Sequence, residues 1–523
     1  MKTRHCTVSS LLLALIFGCA CFGETAPPAA PAKSTAGTSK SISSPKLRWG
    51  ERVDKIHDIG CDDWITAAWT TMLIKKGIVP AKDAPAAARV LLEMLETPGP
   101  ERSSGWTYFH KRQRYFNEKL GPEIGGNLMV VRTTPPARQT VYVRYHLMKR
   151  MCQIYDMQAA ILDFAEKHAA TIMPGYTHER HAQPTTFGHY LLSVYDAVAR
   201  STKTLEDGYH LMSLNELGCG ALAGTSLPID RDLVSEYLGM EGLIENANDA
   251  VSYTDGYLTV VSGLTNVTNI VSRMALEFSF WSGVEYGFLE IGSHGTSFLM
   301  PQKSTNPNSL EIIRLSAGQM IGHLTSIAVA GLREPHGDTH AMLHMEDATL
   351  AALDVSERCI TITTREMRLI KVYPERMLAV IRESYIASTE LANQMMRDYG
   401  LDYRTAHDII HDFVLASREQ KIPATKARAD LLDAAAEATI GKKIGMTDAR
   451  LRELLDPTHF IKVTNSKGGV APEEIARMIA DRREKLAAAR ARHLKRIETL
   501  EEAQQRMLSD LRRYGDEPEA KEE

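Results

Sequence analysis

Residues 258–281 read L-T-V-V-S-G-L-T-N-V-T-N-I-V-S-R-M-A-L-E-F-S-F-W, with apolar side chains at 258, 261, 264, 267, 271, 274, 278 and 281. Steps of three and four place these on one stripe of an α-helix; a half-buried strand would need every second residue. The run lies inside 229–300, which has no proline, and neither 137–173 nor 308–334 has one. Similar periodicity recurs in 139–171, 186–213 and 343–372. Long helices with one apolar stripe each bury it only against one another, so the spacing predicts a bundle. No stretch alternates convincingly as a strand. The expected fold class is all-α, a central long-helix bundle flanked by smaller N- and C-terminal helical domains.

Outward from the bundle, the chain divides into residues 47–138, an N-terminal helical domain; 139–398, the bundle; and 399–482, a C-terminal domain of short helices ending near Ser466-Lys467-Gly468-Gly469-Val470-Ala471-Pro472. Residues 483–523, rich in Ala, Arg and Glu, read as one extended helical tail with a solvated charged face. At the other end, Lys2, Arg4 and His5 precede a short apolar run that reaches Phe22. That pattern reads as a signal peptide over 1–23, and residues 24–46, rich in Ala, Pro, Ser and Thr, as a flexible linker. The expected address is therefore exported, periplasmic or secreted. Two ends stay open, cleavage after Gly23 and a lipid anchor on Cys19.

The 523 residues allow two or three domains, and 44% hydrophobic with 24% charged residues is ordinary for a soluble protein. A net charge of −4 without a basic stripe argues against a nucleic-acid partner. Beyond the signal, Cys61, Cys152, Cys219 and Cys359 are far apart and form no C-x-x-C pair, which argues against zinc. Buried thiols in a helical core are the simpler reading; one disulfide stays open.

Two polar stretches carry candidate chemistry. Residues 292–311 read G-S-H-G-T-S-F-L-M-P-Q-K-S-T-N-P-N-S-L-E. Gly292 and Gly295 suggest a movable loop, with Ser297 and Lys303 on it. Asn306 as cap and Pro307 as first residue predict a helix start, a natural anion site. Residues 173–189 read M-P-G-Y-T-H-E-R-H-A-Q-P-T-T-F-G-H. Pro174-Gly175 predicts a turn, and Gln183-Pro184 the reopening of a helix. Thr177 and His178 between them are candidates for proton transfer.

Both stretches resemble signatures of the fumarase/aspartase superfamily, and of its argininosuccinate lyase branch in particular. The carriers are Met300-Pro301-Gln302-Lys303 with Asn306-Pro307-Asn308-Ser309-Leu310-Glu311, and Met173 to His178 with Ala182 to His189. The likeness continues through Gly220 to Thr225 and Pro228-Ile229-Asp230-Arg231, and covers roughly residues 47–482.

The resemblance implies a β-elimination that releases fumarate through a doubly charged aci-carboxylate, with no metal and no cofactor. It implies that Ser297 is the base, that Lys303 and Asn306 hold the carboxylate, and that His178, oriented by Glu311, faces the leaving group. Thr177, Gln183, Arg132, Thr133 and Arg231 would contact the substrate, a small dicarboxylate. It further implies a homotetramer built through the bundle, with each active site drawing on three chains.

The chain departs from the family pattern in three segments. Thr296-Ser297-Phe298 stands where the family usually has Gly-Ser-Ser, and one extra residue separates Lys303 from Asn306. In 125–139, Arg132 matches and Thr133 replaces a Ser, but Met129 replaces a His and the following Arg, Asn and Asp are absent. Residues 333–347 lack the expected Tyr, Lys and Gln and carry His336, His340 and His344 at i, i+4 and i+8. The inference is a retained elimination apparatus with a changed leaving-group pocket: a carbon–nitrogen lyase acting on an N-substituted aspartate, argininosuccinate or a related succinyl compound. The alternative is a catalytically impaired member kept as a binding or structural protein.

Overall fold

The fold is described from a computed structural model at residues 49–97, 105–132, 136–292, 295, 297, 299–300, 306–332, 335–337 and 339–516. The signal, linker and Cys19 readings lie outside the described residues, as do Lys303 and Thr133. In order come α1 (Trp49–His57), α2 (Cys61–Lys75), α3 (Ala84–Glu96), α4 (Gly105–Leu120), α5 (Pro122–Gly125) and α6 (Pro136–Lys167). Strands β1 (Ile172–Thr177) and β2 (Arg180–Thr186) lead into α7 (Phe187–Leu211), followed by β3 (Leu214–Asn215), α8 (Arg231–Leu238), β4 (Gly242–Leu243) and α9 (Ala247–Ala250). Then come α10 (Asp255–Trp281), β5 (Leu289–Glu290), α11 (Asn308–Leu332), α12 (Thr339–Leu369) and β6 (Lys371–Val372). The chain closes with α13 (Pro374–Arg382), α14 (Ser388–Tyr399), α15 (Tyr403–Glu419), a 3-10 turn at Ala424–Lys426, α16 (Ala429–Ile440), α17 (Asp448–Leu454), α18 (Pro457–Val463) and α19 (Pro472–Asp516).

The fold is the all-α bundle that the periodicity predicts. Helices α6, α7, α10, α11 and α12 pack in a closed ring, each against the next. On α10, Val261, Leu264, Val267, Val271, Met274, Phe278 and Trp281 are buried, while Leu258 at its first turn is exposed. Helix α11 is apolar on more than one side: Leu310, Ile313 and Met320 face the core, yet Leu315 is 62% exposed and Leu332 74% exposed.

The N-terminal helices share this core, since Trp64, Trp69, Leu91 and Phe116 belong to one buried cluster with Tyr155, Leu162 and Phe278. A second cluster, with Leu391, Ile409, Phe413, Leu432 and Leu451, joins α14 to α17. The long α19 lies along α3, α6 and α8. Its buried Ile479, Leu486, His493, Leu500 and Met507 recur every seven residues, the seam of a coiled coil. Its charged side chains are not only solvated: Arg482 grips Asp196 at 2.8 and 3.0 Å, and Arg52 reaches Glu501 at 2.6 Å.

One expectation fails locally. Residues 172–186 form an antiparallel hairpin, β1 on β2, with Pro174 opposite Pro184. Pro174-Gly175 is a bulge rather than the turn, and Gln183-Pro184 continues a strand rather than opening a helix. A Cβ on Gly175 would fall 2.6 Å from the Gln183 carbonyl oxygen, so the bulge needs glycine. Two prolines bar a helix and also break the alternation by which a strand is read. Helix α7 begins only at Phe187, with the Thr186 hydroxyl accepting from the His189 amide at 3.1 Å. The four cysteines beyond the signal are free thiols and buried, and burial pushes Cys152 and Cys359 up to about 12.

Candidate active site

The β1–β2 hairpin presents Thr177 and His178 at its tip. Thr177 pairs with Arg180, so His178 and Glu179 are a two-residue turn, with φ of 51° and 58°. Such turns match the twist of their strands only when both central residues are left-handed, which favours Asn-Gly or Asp-Gly. A histidine and a glutamate here carry strain that the pairing of the strands holds in place. Both side chains are exposed. Further down β2, the Gln183 amide donates to Thr389 Oγ1 at 3.0 Å, and in the first turn of α7, just beyond it, His189 Nε2 donates to the Gly468 carbonyl at 3.0 Å. The hairpin is thereby tied to α14 and to the Gly468-Gly469 turn.

A second group gathers at the start of α11. Gly295 and Asn306 exchange main-chain hydrogen bonds at 3.1 and 3.3 Å, closing the base of the loop that carries Ser297. Asn306 therefore serves as a main-chain clamp, and the helix begins at Asn308, one position after the predicted Pro307 start. Pro307 still accepts from the Glu311 amide at 3.2 Å. Space requires glycine at 292, where a Cβ would fall 2.1 Å from Leu369 Cβ and 2.8 Å from its main-chain carbon; at Gly295 a Cβ would meet only the movable end of the Asn308 side chain. Ser297 Oγ accepts from the Met300 amide at 2.9 Å. An amide donor on that oxygen favours its anionic form. Glu311 sits exposed in the first turn of α11, four residues before the exposed Leu315.

Arg132 forms a third group. Its Nη1 donates to Thr66 Oγ1 at 2.9 Å, its buried Nε has no acceptor, and its guanidinium lies 5.9 Å from the Phe109 ring centre. Burial holds its pKa below the usual arginine value. Among the described residues no carboxylate forms a salt bridge with it, and the nearby Tyr108 and Asp62 favour its charged form. The sequence marked Arg132 but not Thr66, nor the Tyr108 hydroxyl 3.2 Å behind it. These sit on separate helices, and no local pattern joins them.

Arg231 does not belong to these groups. Its Nε donates to the Leu217 carbonyl at 2.7 Å, Nη1 to Glu245 at 3.0 Å, and Nη2 to Ile244 and Asn215 at 2.8 and 3.3 Å. Four carbonyls occupy the guanidinium, which pins the 215–217 loop against 244–245. Within the one chain, the guanidinium expected to contact substrate is engaged by these carbonyls. Of the histidine row, His344 Nε2 meets Ser326 Oγ at 3.0 Å and links α12 to α11. Within the one chain, among the described residues, no hydrogen bond joins Ser297, His178 and Arg132 to one another.

The lyase family model matches residues 140–322. The chain is 30% identical over 479 residues to the argininosuccinate lyase of Methanothrix thermoacetophila, covering 89% of this chain and 96% of that one. It is 31% identical over 431 residues to argininosuccinate lyase 1 of Shouchella clausii, covering 80% and 85%. Among solved structures it is similar to EDDS lyase in complex with formate, with a TM-score of 0.78 and 26% identity over 90% of this chain and 97% of that one. With this bundle and these motifs, the chain belongs to the argininosuccinate lyase family of the fumarase/aspartase superfamily and is a carbon–nitrogen lyase.

Proposed function

We propose that this enzyme eliminates an amine from an N-substituted aspartate, argininosuccinate or a related succinyl compound, and releases fumarate. Ser297 takes the proton from the carbon beside the substrate carboxylate. The C–H electrons pass into that carboxylate as an aci-carboxylate, held by Lys303 and Asn306. They return as the C=C bond of fumarate while the C–N bond breaks. His178, oriented by Glu311, gives the departing amine its proton. Arg132 binds a substrate carboxylate, with Thr133, Thr177 and Gln183 on the remaining polar groups.

The observation that carries this reading is the Gly295–Asn306 clamp. It fixes both ends of the Ser297 loop at the start of α11, and Ser297 already accepts an amide hydrogen bond. An unactivated serine is a weak base, and such donors lower the cost of its anion. The recast 333–347 segment supports a leaving group other than the family's usual one, and the amino-terminal run supports an exported address.

We further propose a homotetramer in which Ser297, His178 and Arg132 of different chains meet. The exposed apolar side chains along α11, Leu315, Val329 and Leu332, support it, because extended exposed apolar surface on a helix marks contact with another chain. The test is fumarate release, followed by absorbance, across argininosuccinate, adenylosuccinate and aminocarboxylate succinates. Turnover of one of them is expected, and Ser297→Ala should lower that rate by roughly 10²–10⁴-fold. A Ser297→Ala enzyme at full rate would remove serine as the base; silence across the whole panel would count against the substrate class.

A further inference from the structure

The Arg132 guanidinium is fixed from behind by a directional chain of hydrogen bonds. Asp63 Oδ2 accepts from Arg112 Nη2 at 2.6 Å, and its Oδ1 accepts from the Tyr108 hydroxyl at 2.5 Å. The phenolic proton is thus committed to Asp63, and the Tyr108 oxygen is left as an acceptor. Thr66 Oγ1, 3.2 Å away, must then donate to it, which turns the threonine lone pairs toward Arg132 Nη1 at 2.9 Å. A carboxylate on α2 therefore sets the polarity of every link up to the arginine. Its own charge is engaged by Arg112, so it orients Arg132 without neutralising it.

The backbone is set as firmly. Val131, the residue before Arg132, has φ of 66°, a left-handed conformation that a β-branched side chain adopts only under constraint. Helix α2 supplies that constraint. Trp69 Nε1 donates to the Val130 carbonyl at 3.0 Å, and Thr70 Oγ1 to the Leu128 carbonyl at 3.1 Å. The Arg132 amide donates to Met129 at 3.3 Å and closes the turn. Strain held by several independent hydrogen bonds marks a segment whose geometry matters more than its local stability.

We propose that Thr66, Tyr108 and Val131 are positioning residues that pre-set Arg132 for a substrate carboxylate. The inference rests on the reading of Arg132 as a carboxylate ligand. Holding a charged donor in place before binding removes the ordering cost that a free arginine would carry, and so sharpens affinity for a dianion.

Calorimetric titration of the full assembled chain with fumarate tests it. Thr66→Val, isosteric but without the hydroxyl, and Tyr108→Phe should each weaken fumarate binding roughly fivefold, with Tm little changed. Thr66→Ser restores the hydroxyl and should bind as the parent does, a rescue that a purely structural role would not require. Val131→Gly should weaken binding while leaving Tm equal or higher, because glycine tolerates that φ. Arg132→Gln should weaken binding by roughly 10–100-fold. If Arg132→Gln loses affinity but Thr66→Val, Tyr108→Phe and Val131→Gly keep it, the positioning role is overturned and the arginine's role stands. If Arg132→Gln binds fumarate normally, the reading of Arg132 itself is overturned. Should Tyr108→Phe fail to fold, Thr66→Val and Val131→Gly decide the matter.

Discussion

His178 and Glu179 turn the β1–β2 hairpin with both backbones left-handed. For residues with a Cβ this costs about 1–2 kcal/mol each. The turn is therefore a place where stability has yielded to something else, and the placement of an imidazole is the proposed reason. The double variant His178→Asn with Glu179→Gly uses the preferred turn residues and should be more stable by roughly 1–2 kcal/mol. It should also lose fumarate release. Calorimetry and the absorbance assay on one preparation check both; a variant with both unchanged would show that the turn is neither strained nor used. The sequence named Thr177 and His178 because a Thr-His pair between long helices is conspicuous. It could not show the hairpin, since Pro174, Gly175 and Pro184 hide its alternation. The carbonyl contacts of Arg231 were hidden for another reason. Whether a guanidinium faces a ligand or four carbonyls depends on where the 215–217 and 244–245 segments lie, and nothing local records that.

At the scale of elements, α10 was the most legible, because one uninterrupted stripe serves one core. Helix α19 was legible as one long helix but not as a packed one, although its seam is present in the sequence. Two of its inward positions are polar, His493 and Gln504, and the surrounding charge reads as solvent-facing. The structure gives each a reason. His493 Nε2 donates to the Met148 carbonyl at 3.1 Å, and Gln504 Nε2 donates to the Ile56 carbonyl at 2.5 Å. Both bonds fix the register of α19 against the helices beneath it. Leu500, fully buried on the same seam, should cost about 2–5 kcal/mol when replaced by Ala. Lys485, 72% exposed, should cost less than about 0.5 kcal/mol. Urea midpoints of the two variants test this. Equal midpoints would mean that α19 is an appendage and not part of the cooperative unit.

Over the whole molecule, burial keeps several histidines neutral. Desolvation lowers His57 to about 3, and His146 and His493 to about 4. An unfolded histidine titrates near 6.5, so below that pH the unfolded chain takes up protons that the folded chain refuses. Stability should therefore be fully present above about pH 6.5 and fall as pH drops toward 4, by about 1.4 kcal/mol per pH unit per histidine. Glu216 acts in the opposite sense, because burial raises its pKa and its neutral form is the one accommodated. Urea midpoints at pH 7, 6 and 5 should decline, and His146→Gln should flatten the decline. A midpoint independent of pH would remove the histidines from the balance.

Ser297, His178 and Arg132 sit on separate parts of one chain, and α11 leaves Leu315 and Leu332 bare. Both facts follow if a site is completed only by several chains packed on that face. Leu315→Arg should then leave the helical fold intact, yield smaller species by sedimentation, and abolish fumarate release. Mixing is the sharper measurement. Ser297→Ala and His178→Asn enzymes, each inactive alone, are dissociated together and allowed to reassemble. A site that takes the serine from one chain and the imidazole from another finds both intact about a quarter of the time in a random assembly. A site made within a single chain finds both intact in none. Recovery of about a quarter of the parent rate is the expected result, and a mixture as inactive as its parts would mean that the two residues serve the same site from the same chain.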